Sequence, residues 1–191
     1  VVKITNCVDN KKIEILSSIV LNQNSLHSEF KGVVPEIAAR AHSQRIDICT
    51  KKALKNANIS IEDIDLICVT SGPGLIGGLL SGVMFAKGLA KGLNKPIVGL
   101  NHLAAHCFSV KMLHKLDCPY LTLLVSGGHC QFLIVKGVDS FYRLGGTIDD
   151  APGECFDKIA SFLGIGYPGG PIIETRSKKG NEERFDFPKP M

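Results

Sequence analysis

The run Leu66–Thr70, followed by Ser71-Gly72-Pro73-Gly74-Leu75-Ile76-Gly77-Gly78 and then by small and apolar residues to about Leu93, leaves few folds open. A short apolar run bounded by turn residues reads as a buried strand, and the longer stretch beyond the glycines as a helix. Ile97–Leu100 repeats the strand. An earlier helix runs from Pro35 to about Asn56, with proline near its start and Ile37, Ala41, Ile48 and Leu54 near helical spacing. Antiparallel pairs are expected at both ends of the chain. Val1–Thr5 and Ile13–Val20 meet through Asp9-Asn10-Lys11, and Tyr120–Ser126 meets Gln131–Val135 across Gly127-Gly128. A polar loop leads to Gly32, Ser60 with Asp63 suggests a turn or cap, and Phe141–Leu144 is a candidate third strand. Further helices are expected over His102 to about Leu116, Asp150–Leu163, and from Pro171. Strands leading into helices, together with hairpins, predict a mixed α/β sheet.

Composition narrows the class. The chain has 191 residues, 45% of them apolar, enough for one large domain or two small ones. Its formal charge of +4 permits contact with a polyanion without arguing for it. Seven cysteines are scattered without a Cys-x-x-Cys pair, which fits reduced, intracellular chemistry over a disulfide framework. No stretch of 18 apolar residues is found, so no membrane span is expected, and the N-terminus lacks a signal peptide's order. The chain starts without methionine in what reads as mid-strand, and ends in a charged, proline-bearing tail from Ser177 to Met191. Both ends are therefore expected to be cut.

Five constellations carry possible chemistry. His102 and His106, in Asn-His-Leu-Ala-Ala-His, lie one helical turn apart, where both imidazoles can reach one metal ion. Leu103 follows where a metalloprotease motif would place its glutamate, so the protease reading weakens. The bland alternative is two hydrogen-bonded histidines on a helix. Gly72-x-Gly74-x-x-Gly77 matches the dinucleotide fingerprint in form, but Ile97 and Val98 stand where an acid belongs, and no Walker lysine follows. It is either an anion-binding loop at a helix N-terminus or a tight turn with close helix–sheet packing. Ser126-Gly127-Gly128-His129 is either a backbone cradle for phosphate or a plain hairpin tip. Asp149, Asp150, Glu154 and Asp157 form an acidic cluster. A solvated helix N-terminus explains the first two, whereas Asp157 sits far enough in to bind a ribose hydroxyl or a magnesium ion through water. Gly169-Gly170-Pro171 with Glu174 opens another helix and could close over a nucleoside, or be a plain helix start. His27, His42 and His114 show no partner pattern.

Taken in order, Val33-Val34-Pro35-Glu36-Ile37-Ala38-Ala39-Arg40, Gly72-Pro73-Gly74-Leu75, Asn101-His102-Leu103-Ala104-Ala105-His106, Leu124-Val125-Ser126-Gly127-Gly128-His129, Asp157-Lys158 and Tyr167-Pro168-Gly169-Gly170-Pro171 resemble the TsaD family. These are the transferases that make threonylcarbamoyladenosine in tRNA, formerly labelled O-sialoglycoprotein endopeptidases or glycoproteases. The resemblance runs from about Ile13 to Pro190. It implies an incomplete actin-like, two-lobed fold of the sugar-kinase and heat-shock-ATPase type, with residues 1–107 in the first lobe and 108–191 in part of the second. It implies one divalent metal, iron or zinc, on His102 and His106. It also implies that Leu124, Val125, Ser126, Gly127, Gly128, Asp157, Gly170 and Glu174 line the site for threonylcarbamoyl-adenylate or another adenine nucleotide. The implied partners are tRNA, a paralogue of similar fold and an ATPase subunit, in the cytoplasm or, in a eukaryote, the mitochondrion, with no membrane.

The chain departs from the family pattern in three places. The family's opening strand and its acidic loop are not seen, although Thr5-Asn6-Cys7 is faintly reminiscent. The family's third metal ligand, an aspartate, and a substrate-contacting asparagine are expected beyond Met191. An enzyme of this family and a non-catalytic partner that keeps the fold are the two readings left open.

Overall fold

The computed structural model describes residues 1–7, 10–30 and 32–188. In chain order the elements are β1 (Val2–Cys7), β2 (Asn10–Ile15), α1 (Asn24–His27), α2 (Pro35–Ala57), β3 (Ile67–Gly72), α3 (Ile76–Leu93), β4 (Ile97–Asn101), α4 (His102–Ser109), β5 (Tyr120–Val125), β6 (Cys130–Gly137), β7 (Ser140–Gly146), α5 (Pro152–Phe162) and α6 (Gly169–Ser177). The expected α/β mixture is present. The single mixed sheet is not: among the described residues the strands form an antiparallel pair β1–β2, a parallel pair β3–β4 and an antiparallel trio β5–β6–β7.

Several expected boundaries move. β2 stops at Ile15 instead of Val20, because its partner ends at Val2, opposite Ile15. Apolar character in Leu16–Val20 had no ladder to extend. Asn10 and Lys11, expected in the turn, are paired strand residues opposite Cys7 and Asn6, and Asp9 lies outside the described residues. The polar loop before Gly32 contains α1 and a 3₁₀ turn at Ser28–Phe30. There His27 is 3% exposed and accepts from the Val34 amide at 3.3 Å, so it is a core histidine. α4 ends at Ser109, well short of Leu116, and passes into a 3₁₀ turn at Val110–Met112. The Ser109 hydroxyl donates back to the His106 carbonyl at 2.7 Å, the kind of local bond that competes with helix continuation. α5 begins at Pro152, the favoured first helical position, and α6 begins at Gly169, before Pro171.

Two helices fix the frame. α2 and α3 each end on an asparagine in the left-handed region, Asn58 (φ 55°) and Asn94 (φ 50°), which asparagine tolerates as a helix stop. Gly77 lies against Ala39, and Ser81 bonds Ser43 at 3.0 Å. The contacts step up both sequences together, so the helices run parallel and open their N-termini on one side. α3 is long and apolar enough to meet the length and composition test for a membrane span, although Lys87 and Lys91 interrupt its apolar run. Its contacts with α2 and β3 cover only part of it, burying Ala86 and Ala90 while Ile76, Leu80 and Met84 stay more than half exposed.

The tightest core lies under the trio. Cys107 (1% exposed), Leu124, Leu133 and Val135 (0%) pack together with Leu103, Phe108, Tyr120 and Phe141 around them. Each fully buried aliphatic here contributes on the order of 1.5–3 kcal/mol. The Tyr120 hydroxyl donates to the Cys107 carbonyl at 3.0 Å, and burial, followed by the neighbouring Cys118 and Cys107, pushes its pKa up. Burial pushes the Cys107 thiol up as well. By contrast the run Leu66–Thr70, expected to be a buried strand, leaves Leu66 half exposed and Cys68 exposed, and the apolar strand β4 leaves Val98 and Leu100 half exposed. Among the described side chains, Cys49, Cys68, Cys107, Cys118, Cys130 and Cys155 are free thiols.

Candidate functional site

β3 and β4 are parallel, so their C-terminal ends sit side by side, with Gly72 opposite Asn101. One end therefore feeds the glycine loop, and the other feeds the histidine helix. This is the edge of a parallel sheet where ligands collect in open α/β folds. Asn101 caps α4: its side-chain oxygen accepts from the Leu103 and Ala104 amides at 2.9 and 3.0 Å.

That cap starts the helix at His102 and sets the pair. The His102 and His106 Nε2 atoms are 3.2 Å apart, their rings edge to face with centroids at 4.5 Å. Two nitrogens each about 2.05 Å from one tetrahedral ion stand about 3.3 Å apart, so the pair fits a shared metal without rearrangement. The same distance also suits a hydrogen bond between neutral rings. Among the described residues no third His, Cys, Asp or Glu completes a cluster with them.

A cleft of about 1010 Å³ gathers parts of three of the other motifs. It is lined by Val33 and Pro35 at the start of α2, by Gly74 and Leu75 at the start of α3, by Gly127, Gly128 and His129, and by Glu154, Asp157 and Lys158 of α5. Neither α2 nor α3 has a side-chain cap on its first amides. Two helix N-termini with unsatisfied N–H groups thus open on one space, a setting that favours an anion.

The Ser126–His129 turn is locked from within and open outwards. Ser126 N donates to the His129 carbonyl at 2.7 Å, and His129 N donates to Ser126 Oγ at 3.1 Å. The Gly127 carbonyl accepts from the Glu154 amide at 3.1 Å. Among the described residues the Gly127 and Gly128 amides donate to no protein group. A Cβ on Gly153 would stand 2.6 Å from the Gly127 Cα, so α5 meets this turn backbone to backbone.

The acidic cluster is divided among three tasks. Asp150 holds the Lys158 ammonium with both oxygens at 2.6 Å, and that bond raises the lysine's pKa, helped by Glu154 and Asp149. Asp157 Oδ1 accepts from the Gly169 amide at 2.7 Å and so ties α6 to α5. A Cβ on Gly169 would stand 2.4 Å from the Phe156 carbonyl oxygen, so only glycine allows this approach. Burial and then the Asp157 charge raise the Tyr167 pKa beside it. The Glu154 carboxylate makes no protein hydrogen bond among the described residues and lies over Gly128, where a Cβ would be 3.7 Å from Oε1.

The expected site residues therefore fall in five places. Gly127, Gly128 and Asp157 line the cleft. Ser126 anchors its turn. Leu124 is a core side chain at 5% exposure and offers a ligand no side-chain contact, while Val125 beside it is 57% exposed. Gly170 and Glu174 line a separate groove with Phe156, Pro171 and Ile173, and His102 and His106 stand at the sheet end. Sequence reasoning missed Val33, Pro35, Lys158 and Tyr167 as lining residues, because scattered apolar, aromatic and lysine positions carry no signal for a cleft until the fold joins them.

With this geometry in view, comparison with known proteins gives a consistent answer. Residues 14–191 match the TsaD family, described as tRNA N6-adenosine threonylcarbamoyltransferase, and the chain belongs to that family. It is 58% identical over 183 residues to a protein of that name from Cereibacter sphaeroides (strain KD131 / KCTC 12085), covering 96% of this chain and 50% of the relative. It is 57% identical to one from Roseobacter denitrificans (strain ATCC 33942 / OCh 114), covering 93% and 49%. The chain thus spans about half the length of the curated relatives it matches. Among solved structures, YeaZ from Pseudomonas aeruginosa superposes with a TM-score of 0.38 at 18% identity over 59% of this chain and 55% of that one, too slight to carry weight.

Proposed function

We propose that this chain forms the adenylate-binding cleft of a transferase that moves a threonylcarbamoyl group from threonylcarbamoyl-adenylate to the exocyclic amine of the adenosine next to the anticodon in tRNA. The observation that carries this reading is the meeting of two uncapped helix N-termini and the open amides of Gly127 and Gly128 on one cleft.

Threonylcarbamoyl-adenylate is a mixed anhydride, and its acceptor is a weak nucleophile whose lone pair is drawn into the purine ring. The leaving group then decides the barrier. The amine nitrogen bonds to the carbamoyl carbon, the carbon–oxygen bond to phosphate breaks, and AMP departs with the electron pair. Backbone N–H groups that hold the phosphate stabilise charge where it develops. Glu154, over the glycine turn, is the carboxylate available as a base to take the proton lost by the amine. Asp157 commits Oδ1 to Gly169 and leaves Oδ2 for a ribose hydroxyl. We read His102 and His106 as ligands to iron or zinc, completed by a ligand from outside the described residues. Such an ion, when bound, would polarise the carbamoyl carbonyl. The same reading divides the chain at about Cys107 between two lobes, adds Gly170 and Glu174 as adenosine contacts, and expects a paralogue of similar fold and an ATPase subunit as partners.

Calorimetric titration with AMP tests the cleft. Asp157→Asn and Gly127→Val are expected to weaken binding at least about tenfold, a loss of roughly 1.4 kcal/mol. Unchanged affinity in both would sink the nucleotide assignment. In the protein expressed from its own gene, with its partners, transfer of labelled threonine carbon into tRNA is the corresponding activity readout.

A further inference from the structure

Phosphate and ribose contacts leave one side of the cleft unused. Phe30, at the end of the 3₁₀ turn before α2, and Phe162, the last residue of α5, both line it, and both are exposed, Phe162 to 90%. Tyr167, half-buried, lines it with them. The chain has only nine phenylalanines and three tyrosines and no tryptophan, so three aromatics on one cleft is a concentration. None of these three takes part in the ring contacts that the other aromatics make among the described residues.

We propose that Phe30 and Phe162 form the stacking platform for the acceptor purine of the tRNA. The inference rests on the transferase reading and deepens it. A group transfer needs both reactants in one space, and the cleft's volume of about 1010 Å³ reaches the upper end of the roughly 300–1,000 Å³ over which small-ligand pockets range. Room therefore remains beside a nucleotide. An unpaired loop base is held in RNA recognition by stacking on aromatic side chains. Phenylalanine suits this acceptor in particular. It binds the π face and has no hydrogen-bonding group to occupy the exocyclic amine, which must stay free to attack. The glycine end of the cleft supplies N–H donors and suits phosphate, so the two ends differ in the chemistry they accept.

The competing source of a purine is the adenine of the nucleotide itself, and the test separates the two. The protein expressed from its own gene is titrated with an anticodon stem-loop RNA carrying the acceptor adenosine, with the same RNA abasic at that position, and with AMP. The wild-type protein is expected to prefer the base-bearing RNA by about tenfold, within the roughly 1–3 kcal/mol that stacking contributes per base. The double variant Phe30→Leu, Phe162→Leu is expected to lose that preference while its AMP affinity stays within about twofold. The double Tyr variant keeps both rings and is expected to retain the preference. A Leu variant that keeps the preference overturns the proposal, and so does AMP affinity that falls in step with RNA affinity, because the platform would then belong to the nucleotide. If AMP binds but neither RNA does, the transferase reading fails first and this inference with it.

Discussion

The two glycine loops invite comparison, because the one that looks like a motif and the one that looks ordinary exchange roles in the structure. Gly72-x-Gly74-x-x-Gly77 has the spacing of a dinucleotide fingerprint, yet Gly77 is spent on letting α3 approach Ala39 of α2. The close packing foreseen for it is real but lies between two helices, not between helix and sheet. Ser126-Gly127-Gly128-His129 is a four-residue hairpin tip of a kind found in many folds. Its serine and histidine lock the turn, α5 takes up the Gly127 carbonyl, and the two glycines line the cleft with amides that donate to no protein group among the described residues. A glycine pattern reports that a side chain is unwelcome. What excludes it, a neighbouring helix or a ligand, is decided by the surroundings.

Substitutions can break this contrast. The largest effect is expected at Gly153→Ala, whose Cβ meets the Gly127 backbone at 2.6 Å. Backbone cannot rotate away, so the loss should be about 3 kcal/mol, the upper range for overpacking, seen as a lower urea midpoint. A midpoint within about 0.5 kcal/mol of wild type would mean that α5 does not clamp the turn. Gly77→Ala meets the Ala39 Cβ at 2.9 Å. The clash is partly offset by the roughly 1 kcal/mol that alanine gains over glycine in a helix, leaving a net loss of about 1 kcal/mol. Net stabilisation would show that α2 and α3 yield freely.

Asn101→Ala removes the α4 cap and should cost about 1 kcal/mol, together with weaker retention of iron or zinc measured by elemental analysis. Metal content untouched by this change and by His102→Ala with His106→Ala would remove the histidine pair from any metal site. Gly127→Ala meets nothing within 4 Å and carries no positive φ. Its stability should stay within about 0.5 kcal/mol while AMP binding weakens, the reverse of Gly77→Ala. Equal behaviour of the two would erase the contrast.

The smallest effect concerns Asp150 and Lys158. The bond to Asp150 raises the Lys158 pKa from 10.5. A raised lysine pKa adds stability that is fully present below the ordinary value and fades as pH climbs through the raised one. Asp150→Asn should therefore flatten the stability profile above about pH 10.5 and change little at neutral pH, since the lysine is more than half exposed and its ion pair is screened by solvent. An unaltered alkaline limb in the variant would place the dependence elsewhere.

Much of the site was legible one segment at a time. The spacing of His102 and His106 put two rings on one helical face, and helix geometry brought their Nε2 atoms to 3.2 Å without any tertiary contact. Asp157 stood out because helix-end electrostatics did not explain it, and it proved to hold the Gly169 amide twelve residues on. Burial was less legible. The apolar runs Leu66–Thr70 and Ile97–Leu100 are strands as expected, but they remain partly exposed, because hydropathy reports a tendency to be covered and not what covers it. The extension of β2 to Val20 failed for a related reason: a strand continues only while it has a partner.

The sequence by itself determined the kinds of elements, the helix start at Pro35, the histidine pair and the family to which the chain belongs, since each depends on spacing, local backbone preference or the order of short motifs. Only the tertiary structure decided that the starts of α2 and α3 share one cleft with the Ser126–His129 turn, that Phe30 and Phe162 stand at its side, and that Gly77 serves packing while Gly127 stays open. Those facts depend on parallel helices and on contacts between residues about 40 to 130 positions apart. No local rule encodes such distances, because they are set by how the layers pack.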